Sequence, residues 1–221
     1  MAVRTLRLAH RGDARVAAEN TLAAFRAALD RSSCDGLEFD VRLSSDGVPV
    51  ICHDDTLDRV QGRPERVDAM TAERLGTLEV PTLADVLELA GHRPFLDVEL
   101  KVDAGPALVE ILAAGRGPGL HNAVVSSFEP IALGAVARRA PGWPRWLNTL
   151  AVDDEVVARA VGLGCQGLAV EWHALGAASM AMGRSAGLEM IAWTVRRRAT
   201  YNRLASLGVA AICVEAAALD G

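Results

Sequence analysis

Short runs of apolar and β-branched residues alternate along this chain with longer stretches of helical period, at a spacing that repeats from end to end. That alternation is the signature of repeated βα units. Strands are predicted over 6–9, 36–41, 48–53, 95–101, 123–128, 146–150, 167–172, 190–195 and 211–215, and helices over 21–31, 83–90, 107–114, 131–139, 154–161, 175–186 and 199–207. Nine strands are one too many for an eight-stranded barrel. The surplus lies in 36–41 and 48–53, which have only "RLSSDG" between them. A parallel crossover needs about a dozen residues, whereas Asp46-Gly47 is a favoured hairpin turn, so the run 48–53 is an antiparallel return. Eight parallel strands remain. The expected fold is α/β, a TIM (β/α)8 barrel with a β-hairpin after strand 2. With Asp46 and Gly47 as the two turn residues, register counting sets His53 opposite Asp40. The stretch 54–80 is a small polar insertion, so 1–221 is expected to form one domain. "PTLAD" then opens the next helix, with Thr82 as N-cap and Asp85 completing a capping box.

Candidate chemistry falls on the strand ends. In "GLEFDV", alternation puts Glu38 and Asp40 on one face and Leu37, Phe39 and Val41 on the other. "FLDVELK" repeats the device, with Asp97, Glu99 and Lys101 opposite Leu96, Val98 and Leu100. Ionised carboxylates on an interior face repel one another and lose solvation, which a cation relieves. An all-oxygen set suits magnesium or calcium rather than zinc. Taken singly, Glu38 and Asp40 are equally well explained by salt bridges to Arg11 or Arg42. His10 and His53 each follow an apolar run, where a barrel places its catalytic rim, and are candidates for general acid and base. Two histidines, several carboxylates, Arg11 and Lys101 converging on strand ends favour a site over chance.

Composition narrows the remaining classes. A chain of 221 residues that is 51% hydrophobic can bury a full core. The net charge of −5, with no basic block, argues against nucleic acid as a partner. Cys34, Cys52, Cys165 and Cys213 lie mostly in apolar runs without a C-x-x-C pair, and read as small buried hydrophobes in a reducing compartment. The first strand starts too near Met1 for a secretory signal and no apolar run spans a bilayer, so a cytoplasmic protein without a transmembrane segment is expected. Oligomeric state, a homo-oligomer included, is left open. Lys101 is the only lysine in the chain.

The segments "HRG", "ENTLAAF", "GLEFDV", "SSDGVPVICHDDTLDR", "PTLADVLEL", "DVELK", "SSF" and "AWTV" stand in the order and approximate spacing of the glycerophosphodiester phosphodiesterase family, which the chain resembles over most of its length. The resemblance implies a TIM barrel with an insertion after the second strand, one divalent cation (Mg2+ or Ca2+), and hydrolysis of glycerophosphodiesters to glycerol 3-phosphate and an alcohol. Carried over by motif position, His10 and His53 are the catalytic pair. Glu38, Asp40 and Glu99 are the metal ligands, and Arg11 and Lys101 hold the phosphate. In this family the attacker is often taken to be the substrate's own glycerol hydroxyl, giving a cyclic phosphate that water later opens. Trp193, at a strand end, is a candidate apolar wall for the leaving alcohol. Glu171 and Trp172 either extend that wall or meet a cationic head group or, an at least equal reading, are a surface acid and a rim aromatic. His92, His121 and His173 fall in loops and are set outside the site.

The chain departs from the family pattern at Ala18, where proline is favoured, at Arg196, where asparagine is usual, and at Val214-Glu215, where Thr-Asp is usual. The expected closing helix is nearly absent after Ala218. Two alternatives stand beside the main expectation. One is a lysophospholipase D-like phosphodiesterase with the same metal and histidines, which a wide apolar rim would favour. The other is an idle barrel that binds a phosphorylated ligand, against which the intact His10 and His53 argue.

Overall fold

The computed structural model describes residues 4–221. Its strands are β1 (Leu6–His10), β2 (Gly36–Leu43), β3 (Pro49–Ile51), β4 (Phe95–Leu100), β5 (Ala123–Ser127), β6 (Arg145–Thr149), β7 (Gly167–Glu171), β8 (Glu189–Val195) and β9 (Ala211–Val214). The sheet runs β1-β9-β8-β7-β6-β5-β4-β2-β3, and a further β1–β2 pairing closes it. All ring pairings are parallel, while β3 lies antiparallel on β2 outside the ring. The result is the expected eight-stranded barrel with one extra strand. Helices α1 (Leu22–Leu29), α4 (Leu83–Ala90), α5 (Gly105–Arg116), α6 (Pro130–Arg139), α7 (Asp154–Gly162), α8 (Ala177–Ser185) and α9 (Arg198–Leu207) connect successive ring strands, and α2 (Asp58–Gln61) and α3 (Ala72–Gly76) belong to the insertion.

Strand alternation divides the core in two. Leu37, Phe39, Leu96 and Val98 point outward and pack with Phe25, Val86 and Leu112 in the layer between sheet and helices. Each such buried side chain contributes about 1.5–3 kcal/mol. Leu8, Val124, Trp146, Ile191 and Cys213 point inward and fill the barrel. The parallel β2–β4 register sets Glu38 beside Asp97 and Asp40 beside Glu99, so the inward carboxylates form two adjacent layers. Among the described residues, no helix is long and apolar enough to cross a membrane.

The hairpin corrects the expected register by one residue. Val41 pairs with Ile51 and Leu43 with Pro49, and Ser44 and Val48 close the loop with a backbone bond of 3.0 Å. The loop therefore has three residues, Ser45–Gly47, and Cys52 rather than His53 stands opposite Asp40, donating its N–H to the Asp40 carbonyl at 2.9 Å. Side-chain bonding explains the choice. Ser44 Oγ donates to Asp46 Oδ1 at 2.6 Å, and Gly47, at φ +77°, takes the left-handed position that ends a three-residue loop. His53 is released from the ladder, and Arg42 Nε fixes its carbonyl at 2.9 Å.

The insertion is more ordered than a polar excursion. Val50, Cys52, Leu57, Val67, Leu75 and Val80 form a small core of their own beneath it. At its end Thr82 and Asp85 make the capping box in full, with Thr82 N donating to Asp85 Oδ2 at 2.8 Å and Asp85 N to Thr82 Oγ1 at 3.2 Å. After β9 the chain makes a single 3-10 turn, Ala216–Ala218, and Leu219 is buried.

Candidate active site

The turn after β1 accounts for the odd sequence His10-Arg11-Gly12. Arg11 takes φ 56° and Gly12 φ 86°, the left-handed region where glycine is favoured. This reverses the chain so tightly that a Cβ on Gly12 would stand 2.7 Å from the backbone of Ala24 in α1. Arg11 N donates to the Glu38 carbonyl at 2.9 Å, and Asn20 N returns to the Arg11 carbonyl at 3.0 Å. The segment Glu19-Asn20-Thr21 is thereby folded under the turn. Thr21 caps α1, and Asn20 Nδ2 donates to Asp40 Oδ2 at 2.8 Å.

At the C-terminal mouth of the barrel, Glu38, Asp40 and Glu99 bring one oxygen each within 4.8 Å of one another, all three buried. Glu38 Oε1 is buried without a hydrogen-bond partner. Three hard oxygen donors at this spacing, one of them unsatisfied, fit a divalent cation such as Mg2+ or Ca2+. Burial and the neighbouring charges of Asp40 and Glu99 push the Glu38 carboxyl well above its ordinary range, and burial and Asp40 raise Glu99. Asp40 is as deeply buried, yet Lys101 and Arg11 outweigh that burial and hold it at about 2. Lys101 Nζ lies 3.0 Å from Asp40 Oδ1 and also bonds Glu99, while Arg11 Nε lies 3.0 Å from Asp40 Oδ2. Asp97, one layer deeper, is raised to about 7 by burial. Of the two salt-bridge partners open to the sequence, Arg11 is at Asp40, and Arg42 is occupied with His53.

Both histidines are held at Nδ1 by a carboxylate. His10 Nδ1 is 2.6 Å from Glu215 Oε1, and His53 Nδ1 is 2.6 Å from Asp54 Oδ1. His10 Nε2 lies 3.8 Å from Glu38 Oε2. Arg59, from α2, joins Asp54 (2.6 Å) to Glu19 (2.8 Å), and Glu19 in turn pairs with Arg11 at 2.9 Å. Two of the departures from the family pattern meet here: Arg196 Nε donates to Glu215 Oε2 at 2.7 Å, so the longer acid and the arginine complete each other.

A cavity of about 280 Å³ brings these groups together, lined by His10, Arg11, Glu38, His53, Asp97, Glu99 and Lys101 on one side and by Phe128, Asn148, Ala169, Trp193, Thr194 and Cys213 on the other. Trp193 lines the far side of this cavity, its ring edge-on to Phe128 at 5.4 Å and its Nε1 donating to the Ala169 carbonyl at 2.8 Å. Glu171 and Trp172 do not line this cavity. Glu171 bonds His173 at 2.7 Å, and the Trp172 ring lies tilted by 31° against the same imidazole with centroids 3.5 Å apart. Glu19, Asn20, Asp54 and Arg59 lie inside segments the motifs already contained, but Asn148 carries no sequence signal.

The profile of the Glycerophosphoryl diester phosphodiesterase family matches residues 10–219. A Caldanaerobacter subterraneus glycerophosphodiester phosphodiesterase is 34% identical over 63% of this chain, a stretch that spans 64% of its own length. A Mycobacterium tuberculosis protein named "Probable glycerophosphodiester phosphodiesterase 1" is 31% identical over 92% of this chain and 86% of its own. Among solved structures, an Oleispira antarctica phosphodiesterase in complex with the product sn-glycerol-3-phosphate superposes with a TM-score of 0.84 at 27% identity, covering 96% of this chain and 93% of that one.

Proposed function

The chain belongs to the Glycerophosphoryl diester phosphodiesterase family, and from that premise we propose that it hydrolyses glycerophosphodiesters to glycerol 3-phosphate and an alcohol, with His10 and His53 as proton donor and acceptor beside a divalent cation. The observation that carries this reading is that one cavity gathers Glu38, Glu99, two carboxylate-held histidines, Arg11 and Lys101, with the buried Asp40 held against both of those cations. The product bound by the Oleispira antarctica relative supports the substrate class.

A phosphodiester resists attack because its own negative charge repels nucleophiles. Glu38, Asp40 and Glu99 would hold Mg2+ or Ca2+, which supplies neutralisation of phosphoryl charge when bound. Arg11 offers a planar fork to the phosphate and Lys101 a compact point charge. With Nδ1 of each imidazole engaged by Glu215 or Asp54, Nε2 is the nitrogen left to exchange a proton. One histidine deprotonates the attacking oxygen and the other protonates the departing one. Phe128 and Trp193 shelter the reacting groups from bulk water on the far side.

The test is release of glycerol 3-phosphate from several glycerophosphodiesters with and without chelator. Chelation should abolish turnover, and Mg2+ or Ca2+ should restore it. Full turnover after exhaustive chelation would overturn the metal reading. His10→Ala and His53→Ala should each lower turnover by about 10² to 10⁴ without unfolding the protein.

A second reading, action on lysophospholipids, is favoured by one feature. Phe128 and Leu150, just past the C-terminal ends of the adjacent strands β5 and β6, and Ile131 in the first turn of α6 are 40%, 69% and 77% exposed. Faster turnover of monoacyl than of deacylated diesters in the same assay would establish it.

A further inference from the structure

The cavity has two unlike walls. β1, β2 and β4, with the turns that follow them, carry His10, the carboxylates and the cations. In the ring, β6 is four strands from β1 in either direction, so its mouth end lies diametrically across from His10. Around it the opposite wall is built from Phe128, Ala169 and Trp193. Into this largely apolar wall β6 inserts one amide, Asn148. Its place follows from alternation: Trp146 points into the barrel interior, and Asn148, two residues on, points the same way one layer nearer the mouth. The side chain is only 7% exposed, and its Oδ1 is buried with no hydrogen-bond partner.

A buried, unsatisfied amide oxygen costs about 1–3 kcal/mol, and a core position beside Trp146 would be filled more stably by an apolar residue. An amide facing a cavity offers one acceptor and one donor side by side, the complement of an alcohol, which donates and accepts through the same oxygen. A phosphate anchored on the charged wall projects its alcohol groups towards the opposite wall. We propose that Asn148 is a specificity residue that receives the terminal hydroxyl of the substrate's glycerol group. The inference rests on the phosphodiesterase reading above and names which part of the substrate this wall recognises.

The experiment compares kcat/KM for a glycerophosphodiester and for its analogue built on 1,2-propanediol, which keeps the neighbouring hydroxyl and lacks only the terminal one. Wild-type protein should prefer the glycerol diester by about tenfold or more, the worth of one well-made hydrogen bond. Asn148→Leu should bring that preference close to unity, through a raised KM on the glycerol substrate, while leaving the analogue's kcat/KM within about twofold of wild type. Asn148→Ser, which keeps a hydroxyl, should retain part of the preference and serves if the leucine variant misfolds. An unchanged preference in either folded variant, or an equal loss on both substrates, overturns the proposal. Cleavage of neither diester by wild-type protein would overturn the phosphodiesterase reading itself, whereas brisk cleavage of both without preference would overturn only the role of Asn148.

Discussion

Lys101 shows how much a single residue type can be asked to do. Its ammonium stands 3.0 Å from Asp40 and also bonds Glu99, so it occupies the angle between two of the clustered carboxylates on neighbouring strands. A compact ammonium with three freely directed donors fits there, whereas a planar guanidinium is broader and its fork is rigid. In a chain that uses arginine at every other basic position, Lys101→Arg should still lower kcat/KM by about 10², and Lys101→Met should do little worse. An arginine variant with most of the wild-type value would show that charge alone matters. Glu215 makes a different kind of contribution, through His10. Its carboxylate, held down to about 2 by the bond from His10 and by Arg196, fixes Nδ1 and so aims Nε2 at the cavity. Glu215→Gln should reduce kcat by roughly tenfold or more, short of the about 10² to 10⁴ for removing His10 itself, with KM little changed. A raised KM with kcat intact would place Glu215 in substrate binding instead.

The turn between β1 and α1 sets the position of half the charged wall, and glycine makes it possible. Gly12→Ala would combine an L side chain at φ 86° with a Cβ at 2.7 Å from the Ala24 backbone. A loss of about 1–3 kcal/mol in denaturant unfolding is expected, with Arg11 and Asn20 displaced and turnover reduced; a stability equal to wild type would show that the turn can relax. Elements of this kind were legible in the sequence to differing depths. The strands and the inward carboxylates were readable because a period of two assigns faces without any knowledge of neighbours. The hairpin register was not, since Asp-Gly ends both two- and three-residue loops and only the bonds of Ser44 decide between them. Helices α2 and α3, four and five residues long, are too short to show a helical period. Asn20 stands in the segment ENTLAAF and Glu215 at a departure from the family pattern, yet their partners Asp40 and His10 are fixed only by how the strands lie side by side. Asn148 became visible only when ring closure put β6 opposite β1.

Closing the ring joins the two ends of the chain, and charge as well as packing holds the seam. β9 pairs with β1 from Leu6↔Ala211 to Ala9↔Val214, and Leu219 is fully buried just beyond. Asp13, also buried, accepts from Arg15 at 2.8 Å and from Arg31 at 2.7 Å, and both arginines reach Asp220 at 2.9 Å. The Asp13 carboxyl is lowered by its bonds from Arg15 and then Arg31, Asp220 by its bond from Arg15, and Glu215 to about 2. The unfolded chain takes up protons on these groups near pH 4, whereas the native state does not until lower pH. The stabilisation is therefore complete above about pH 4–5 and is lost as the pH falls towards about 2. Asp220 is exposed and screened, so Asp13 should account for more of the effect. Asp97, raised to about 7, works in the opposite sense, losing stability as pH rises from about 4 towards 7, so it offsets the fall only above about pH 4 and leaves the fall below it to the lowered groups. Thermal melts between about pH 5 and pH 2.5 should show a falling Tm for the wild type. Asn in place of Asp13 should lower Tm at neutral pH and flatten the fall in acid, because the group that resisted protonation is gone. Parallel slopes for the two proteins would show that Asp13 is not held below its ordinary range, and that the seam is secured by the β1–β9 ladder and Leu219 alone.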